Sequence, residues 1–177
     1  LGTTQWAVQL AEALQAPAIV LSDQFLGQAR SVVDRPFDIA AGAGRAILAD
    51  DMGLGKTIQG IGTAELLARL AEIRRVLVVC PASLKGQWRA EISKFSGRSS
   101  QLVMGSGEER VKQYQNDTFF TICNYEQVLR DLSAIECLPW DLIILDEGQR
   151  IKNYESRTSN AIRQLDSPFR LVLSGTP

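Results

Sequence analysis

The fold is decided by the stretch AILADDMGLGKTIQ, residues 46–59. A short apolar run at 46–49 leads through two closely spaced glycines into a helical pattern. Glycine tolerates positive φ angles and lets a backbone approach a ligand closely, so the N–H groups of such a turn can converge on phosphate oxygens. The N-terminus of the following helix faces the same anion. The stretch therefore predicts a phosphate-binding turn between a buried strand and a helix.

Two side chains in this turn suit a nucleotide. Lys56 is placed to neutralise the β- and γ-phosphates, and the hydroxyl of Thr57 can join the coordination shell of Mg²⁺. The strict pattern G-x-x-x-x-G-K-[ST] requires glycine at position 50, where this chain has Asp50. A chance glycine-rich turn is the alternative, and the strand-to-helix context argues against it. The candidate nucleotide-binding residues are Asp51, Met52, Gly53, Leu54, Gly55, Lys56, Thr57, Ile58 and Gln59.

Outward from this turn, short apolar runs rich in β-forming residues alternate with helical patterns along the chain. The runs cover residues 18–21, 46–49, 76–80, 102–104, 119–123, 142–145 and 171–173, and the clearest helical patterns cover 56–71 and 83–95. Alternating strands and helices predict an α/β fold, with a doubly wound, mostly parallel sheet and helices on both faces. Ligands of such sheets collect beyond the carboxyl ends of the strands.

A second motif is the apolar run 142–145 followed by two carboxylates, Asp146 and Glu147. It lies about three strand-helix units after Lys56, which predicts a strand adjacent to the strand at 46–49. Mg²⁺ prefers oxygen ligands and retains several waters, so Asp146 can hold the ion together with Thr57. Glu147 can then orient or deprotonate an attacking water. A solvated Asp-Glu turn is the alternative, and the two motifs together favour the metal-and-water site.

Composition limits the classes of function. The 177 residues are 45% hydrophobic and 22% charged, with a net charge of −1, so no bulk positive field attracts nucleic acid and such a contact requires local basic patches. Cys80, Cys123 and Cys137 lack metal-binding spacing, which favours free thiols in a reducing cytoplasm. No apolar run approaches the roughly 20 residues that span a bilayer, so no membrane partner is expected. Since position 1 is Leu, we expect an excised part of a longer protein.

Six segments resemble, in order, the motifs of SWI/SNF-type ATPases of helicase superfamily 2. They are residues 49–59, 79–88, 124–126, 146–149, 151–153 and 173–177. The resemblance runs from about residue 44 to 177, and Asp50 in place of glycine is ordinary for that family. It implies a RecA-like lobe with ATP and Mg²⁺ as cofactors. It also implies ATP-driven translocation on double-stranded DNA that remodels DNA-bound proteins without separating the strands.

The resemblance also implies further roles for residues. Ser174, Gly175 and Thr176 would couple the nucleotide state to lobe movement, and Trp88 and Leu84 are expected in the core or as positioning residues. The DNA-contact candidates are Pro81, Ser83, Lys85, Gln87, Asn124, Tyr125 and Lys152. For some basic residues a phosphate contact and a solvated helix face remain alternatives. These residues are Lys85, Arg89, Lys94, Arg150, Lys152 and Arg157.

Two departures from the family pattern affect the expectations. The family's Asp-Glu-Ala-His box reads Asp-Glu-Gly-Gln here, and the chain contains no histidine. Gln149 is therefore the expected catalytic contact to residues 174–176, and because glutamine does not titrate near neutral pH, this coupling should lose the pH sensitivity of histidine. Upstream, residues 35–39 replace a Tyr-Gln pair that contacts adenine. Phe37 stacking on the base, with Asp38 or Arg45 at its edge, is the substitute the sequence offers.

The expected domains are an N-terminal helical and strand extension, residues 1–35, and the first ATP-binding lobe, residues 36–177, which ends before a second lobe. That second lobe would supply arginines for hydrolysis, so this chain alone should bind nucleotide weakly and turn over almost none. The expected partners are double-stranded DNA, the second lobe and a DNA-bound protein cargo. The expected location is cytoplasmic, at the nucleoid in a bacterium, or nuclear in a eukaryote. The alternatives are an RNA- or DNA-unwinding helicase and a catalytically silent docking module.

Overall fold

Seven parallel strands form one sheet in the computed structural model, which describes residues 20–21, 45–50, 55–148 and 157–175, the first two segments and residue 175 as backbone alone. The strands are β1 (Val20–Leu21), β2 (Arg45–Asp50), β3 (Val76–Cys80), β4 (Ser100–Leu102), β5 (Phe120–Asn124), β6 (Leu142–Leu145) and β7 (Phe169–Gly175). Their order in the sheet is β1-β2-β7-β6-β3-β5-β4. All the paired strands are parallel. The predicted parallel sheet is confirmed.

Helices connect the successive strands from β2 to β7. They are α1 (Lys56–Leu70), α2 (Lys85–Phe95), α3 (Gly107–Gln115), α4 (Tyr125–Arg130), α5 (Leu132–Glu136) and α6 (Arg157–Gln164), with a 3₁₀ turn at Ala82–Leu84 before α2. No helix among the described residues combines the length and the apolar character needed to cross a bilayer.

Two buried clusters lie on opposite faces of the sheet, because successive strand residues point to opposite faces. One cluster contains Val79 and Ile143 with side chains of α3 to α6, including Tyr114. The other contains Val78 and Ile144 with side chains of α1 and α2. Central strands covered on both faces are apolar throughout, which is why β3 and β6 read as unbroken apolar runs. Helices therefore cover both faces, and the doubly wound prediction is confirmed.

The position of β6 corrects one expectation. We expected it beside β2, but β7 lies between them, with Ala49 of β2 in register with Ser174 and Leu145 of β6 in register with Val172. The distance between two motifs along the chain indicates how many strand-helix units separate them. It does not indicate whether a strand later in the sequence, here β7, lies between them in the sheet. The consequence is functional, since β7 separates the phosphate turn from the carboxylates.

Smaller differences between the sequence predictions and the structure concern where a strand ends and which side chains are buried. The predicted strand at 102–104 ends at Leu102, because Gly105, with φ 87°, turns the chain and Ser106 caps α3. Leu70 and Phe95 are 59% and 47% exposed, although the helical pattern placed them on the buried faces of α1 and α2. Both lie in the last turn of their helix, where the sheet no longer covers the side chain. Among the cysteines, Cys80 and Cys123 are buried free thiols, as predicted, whereas Cys137 is exposed.

Candidate active site

The phosphate turn is described from Gly55 onward, and residues 51–54 lie outside the described part of the chain. Gly55 has φ 74° and ψ 32°, a left-handed conformation that strains any residue with a Cβ atom. It is the N-cap of α1, and its carbonyl oxygen accepts a hydrogen bond from the Gln59 N–H at 3.0 Å. Among the described residues no side chain caps this helix end, and the first-turn N–H groups of a helix can bind an anion.

Lys56 and Thr57 form the first turn of α1 and are both half-buried, whereas Ile58 is exposed. The charge of Lys56 acts on the Asp146 carboxylate, which puts the lysine within electrostatic reach of the second motif. The two predicted motifs are therefore brought to one edge of the sheet.

Asp146 follows β6 directly, is 5% exposed and is held through several hydrogen bonds. Its carboxylate accepts one from the indole Nε1–H of Trp88 at 2.7 Å on Oδ2 and one from the Glu147 N–H at 2.9 Å on Oδ1. Its backbone carbonyl accepts one from the hydroxyl of Tyr125 at 2.6 Å, and its N–H donates to Val79 O at 2.8 Å. Both the backbone and the carboxylate are thus fixed in direction.

Opposing effects act on the charge of Asp146. Burial raises the pKa of this carboxyl above its ordinary value, as does the charge of Glu147, while the hydrogen bonds from Trp88 and the Glu147 N–H and the charge of Lys56 lower it. Each carboxylate oxygen has lone pairs beyond the one that these hydrogen bonds use, so a metal-bound water can still be accepted.

The donor set fits Mg²⁺. Thr57 and Asp146 supply hard oxygen atoms, and no group of three or more His, Cys, Asp or Glu side chains among the described residues forms a metal cage. Mg²⁺ sites that serve a nucleotide use one or two protein oxygens together with phosphates and waters. The residues present therefore match this mode of binding.

The turn after β6 is shaped by Glu147 and Gly148. Glu147 has φ 55°, a left-handed conformation that is rare for a residue with a side chain and that concentrates at functional sites. A Cβ atom on Gly148 would collide with Cγ1 of Val172 on β7. The glycine of the Asp-Glu-Gly-Gln sequence therefore lets the turn lie directly against the neighbouring strand.

Two of the three coupling candidates, Ser174 and Gly175, lie beside the end of β2. Ser174 is buried and is in register with Ala49, while Gly175 is in register with Asp50. Gln149 and Thr176 lie outside the described residues, so the predicted contact between them stays a prediction. The same holds for the adenine candidates Phe37 and Asp38.

The DNA-contact candidates form two neighbouring segments at the same edge, because Cys80 of β3 is in register with Asn124 of β5. We call residues 81–88 the α2 segment and residues 124–127 the α4 segment. Ser83 and Gln87 are exposed on the α2 segment, and Asn124 is half-buried. Arg89, Lys94 and Arg157 are also exposed, while Arg150 and Lys152 lie outside the described residues.

Three DNA-contact candidates are buried instead. Pro81 is covered, and Tyr125, 4% exposed, directs its hydroxyl to Asp146. Lys85 is 9% exposed, and its ammonium donates to the carbonyl of Val103 and, at 3.1 Å, to Oε1 of Gln127. Burial lowers the pKa of Lys85. All three side chains lie in the interior of the lobe. The resemblance assigns a motif to the DNA and does not specify the direction in which each side chain of that motif points.

Trp88 was expected in the core or as a positioning residue, and it is fully buried with its indole N–H on Asp146. Gln127 had no sequence signal, and Tyr125 was predicted for a different contact. Gln127 links Lys85 to Asn124, and Tyr125 acts on Asp146 rather than on a surface ligand. Both contacts join elements that are distant in sequence, which local patterns do not reveal.

Gly60 sets how closely α1 approaches the sheet. A Cβ atom there would lie 3.1 Å from Trp88 Cη2 and 3.2 Å from Leu173 Cδ1, whereas Gly62 in the same helix has no atom within 4 Å. Alanine favours a helix over glycine by about 1 kcal/mol at either site. We expect Gly62→Ala to stabilise the protein, and Gly60→Ala to be about 1–3 kcal/mol less stable than Gly62→Ala because of overpacking. Urea unfolding measures both, and equal stabilities would contradict this packing.

A family model described as the SNF2-related domain matches residues 5–177. Among curated proteins, the chain is 37% identical to the DNA repair and recombination protein RAD54B of Mus musculus, over 78% of this chain and 17% of the relative. It is also 37% identical to the ISWI chromatin-remodeling complex ATPase ISW1 of Saccharomyces cerevisiae, over 74% of this chain and 12% of the relative. The chain thus spans less than a fifth of the length of these relatives.

A solved structure agrees. The SWI2/SNF2 ATPase core of Sulfolobus solfataricus in complex with dsDNA superposes with a TM-score of 0.68 and 36% identity. The match covers 74% of this chain and 27% of that one. The described sheet and its flanking helices therefore have the fold of an ATPase core of this kind, as the sequence motifs implied.

Proposed function

The chain belongs to the SNF2-related domain family, and on that premise we propose that it is the ATP-binding lobe of a double-stranded-DNA-dependent ATPase that translocates on DNA and remodels protein-DNA complexes. The observation that supports this most is the convergence of Lys56 and Asp146 at one edge of the sheet, with the coupling strand β7 between their strands. A silent docking module would have no use for this arrangement.

In the proposed reaction, Lys56 and the N-terminus of α1 bind the β- and γ-phosphates of ATP. Thr57 and Asp146 hold Mg²⁺, which when bound neutralises charge on the phosphate oxygens. Glu147 orients the water that attacks the γ-phosphate in line, and it accepts a proton from that water. As the new P–O bond forms, the bond from the γ-phosphorus to the β–γ bridging oxygen breaks, and ADP and inorganic phosphate are the products. Gln149 and residues 174–176 report the state of the nucleotide to the rest of the motor.

A second lobe completes the reaction in this proposal. Charge on the transferred phosphoryl group is stabilised in this class of reaction by arginines worth about 10³–10⁵ in rate. We place these arginines on the second lobe, as the resemblance to SWI/SNF-type ATPases implies.

Double-stranded DNA is the proposed track. Support comes from the DNA complex of the Sulfolobus solfataricus core and from the exposed polar residues Ser83 and Gln87 at the same edge as the ATP site. Because the chain has a net charge of −1, contacts to the DNA backbone would be local and would depend on polar groups as well as basic ones. The proposed location is the compartment that holds the DNA, and the proposed cargo is a protein bound to it.

The test is ATP hydrolysis by the intact protein that carries this domain, with duplex DNA, single-stranded RNA or no nucleic acid. We expect duplex DNA to stimulate hydrolysis much more than RNA does. Lys56→Ala is the control for contaminating ATPases, and it should lower turnover about 10²–10³-fold. Equal or greater stimulation by RNA would favour an unwinding helicase. Absence of hydrolysis at saturating duplex DNA would favour the docking module.

A further inference from the structure

Asp146 is bonded to both segments that carry the DNA-contact candidates. Trp88, the last residue of the α2 segment, donates its indole N–H to the carboxylate at 2.7 Å. Tyr125, in the α4 segment, donates its hydroxyl to the backbone carbonyl at 2.6 Å. Both aromatic side chains are buried, with exposed fractions of 0% and 4%. The bond from Trp88 fixes the direction of the Asp146 carboxylate, and the bond from Tyr125 fixes the backbone of Asp146.

The two segments are also bonded to each other. Lys85 of the α2 segment donates to Oε1 of Gln127 in the α4 segment at 3.1 Å. The same Gln127 forms a capping box with Asn124, accepting from its N–H at 3.0 Å and donating its own N–H to Oδ1 of Asn124 at 2.8 Å. Lys85 and Gln127 both donate to the carbonyl of Val103 as well. The segments and Asp146 therefore form one connected unit.

We propose that Trp88 and Tyr125 are positioning residues, through which DNA held on the two segments orients Asp146 toward Mg²⁺. The proposal rests on the proposed function and deepens it. Ser83 and Gln87 are exposed, and both lie in the same short segment as the buried Trp88. DNA bound to the outer face of this segment would therefore shift the position of the indole. A hydrogen bond is strong only over a narrow range of angles, so a small rotation of the indole changes the orientation of the carboxylate that accepts its hydrogen bond. The orientation of a carboxylate in turn affects how well it binds a metal ion.

The test uses substitutions that remove one donor each and retain an aromatic side chain; Tyr→Phe removes only the hydroxyl, whereas Trp→Phe also makes the side chain smaller. Trp88→Phe and Tyr125→Phe remove the two bonds to Asp146. The chain offers matched controls, since Trp140 donates its indole N–H to Ile135 O at 2.9 Å and Tyr114 donates its hydroxyl to Asp131 at 3.1 Å. Both control side chains are buried, and neither bond has Asp146 as its partner. Trp140→Phe and Tyr114→Phe therefore make the same changes of side chain and each lose one buried hydrogen bond that does not involve Asp146.

Two quantities are measured in the intact protein. The first is the Mg²⁺ concentration for half-maximal binding of a fluorescent ATP analogue, without DNA. The second is the ratio of ATP turnover with and without duplex DNA. We expect Trp88→Phe and Tyr125→Phe to require about tenfold more Mg²⁺ and to reduce the stimulation ratio by about as much, as for other residues that orient a metal ligand. The controls should stay within about twofold of the wild type in both.

A Mg²⁺ requirement unchanged from the wild type in both variants would overturn the proposal, as would shifts that the two controls reproduce. A shifted Mg²⁺ requirement with full DNA stimulation would overturn the link to DNA. The Mg²⁺ measurement needs no DNA, so a wild-type protein that duplex DNA does not stimulate would contradict the proposed function instead. In that case the Mg²⁺ requirement of the four variants still decides whether Trp88 and Tyr125 position Asp146.

Discussion

Replacing Glu147 with glutamine in the intact protein is expected to lower ATP turnover about 10²–10⁴-fold, while ATP binding changes little. The amide has almost the same shape as the carboxylate, but it cannot accept the proton of the attacking water. Glu147 occupies a left-handed turn directly after the buried Asp146, so its backbone stays in place when only the side-chain charge is removed. Steady-state turnover and binding of a fluorescent ATP analogue measure the two effects separately.

Glu136→Gln is the matched control for this experiment. Glu136 ends α5 and is exposed, so the same loss of one carboxylate should leave turnover unchanged. If Glu147→Gln retained more than about a tenth of wild-type turnover, another group would have to act as the base. A comparable loss of ATP binding and of turnover would instead make Glu147 a binding residue.

The isolated chain of residues 1–177 is expected to bind Mg·ATP weakly and to hydrolyse it about 10³–10⁵-fold more slowly than the intact protein, because the arginines proposed on the second lobe are missing. Duplex DNA should not restore the rate. Turnover per molecule is compared for the two proteins at saturating ATP, with and without DNA. Circular dichroism confirms that the isolated chain is folded. Substantial DNA-stimulated hydrolysis by the isolated chain would show that this lobe alone completes the site.

Much of the fold follows from the sequence because the central strands are buried on both faces. Runs such as 76–80 and 142–145 are apolar throughout, and the structure contains both as strands with the predicted bounds. The order of the strands in the sheet, by contrast, could not be predicted from the sequence. The insertion of β7 between β2 and β6 depends on which crossover packs best, and the apolar runs are too similar to one another to specify it.

The candidate site residues likewise divide into those that the sequence indicates and those that depend on the packing of distant segments. Lys56, Asp146 and Glu147 could be proposed from the sequence because phosphate, metal and water chemistry demand particular side chains at strand ends. For Lys85, a phosphate contact and a solvated helix face were the alternatives, and nothing near it in sequence indicates that Val103 and Gln127 accept its hydrogen bonds. Tyr125 was assigned to DNA by the resemblance alone. Its partner is Asp146, whose position beside it is set only by the packing of β5, β3 and β6.

We expect the phosphate turn and the carboxylates after β6 to form one nucleotide site. Calorimetric titration of residues 1–177 with Mg·ATP, for the wild type and for Lys56→Ala, tests this. Lys56 is half-buried at the start of α1, so its loss should not unfold the lobe. We expect Mg²⁺-dependent binding that Lys56→Ala weakens by about tenfold or more, since a charged contact to phosphate is worth about 1.5–3 kcal/mol. Equal affinity of the two proteins, or binding that ignores Mg²⁺, would contradict it.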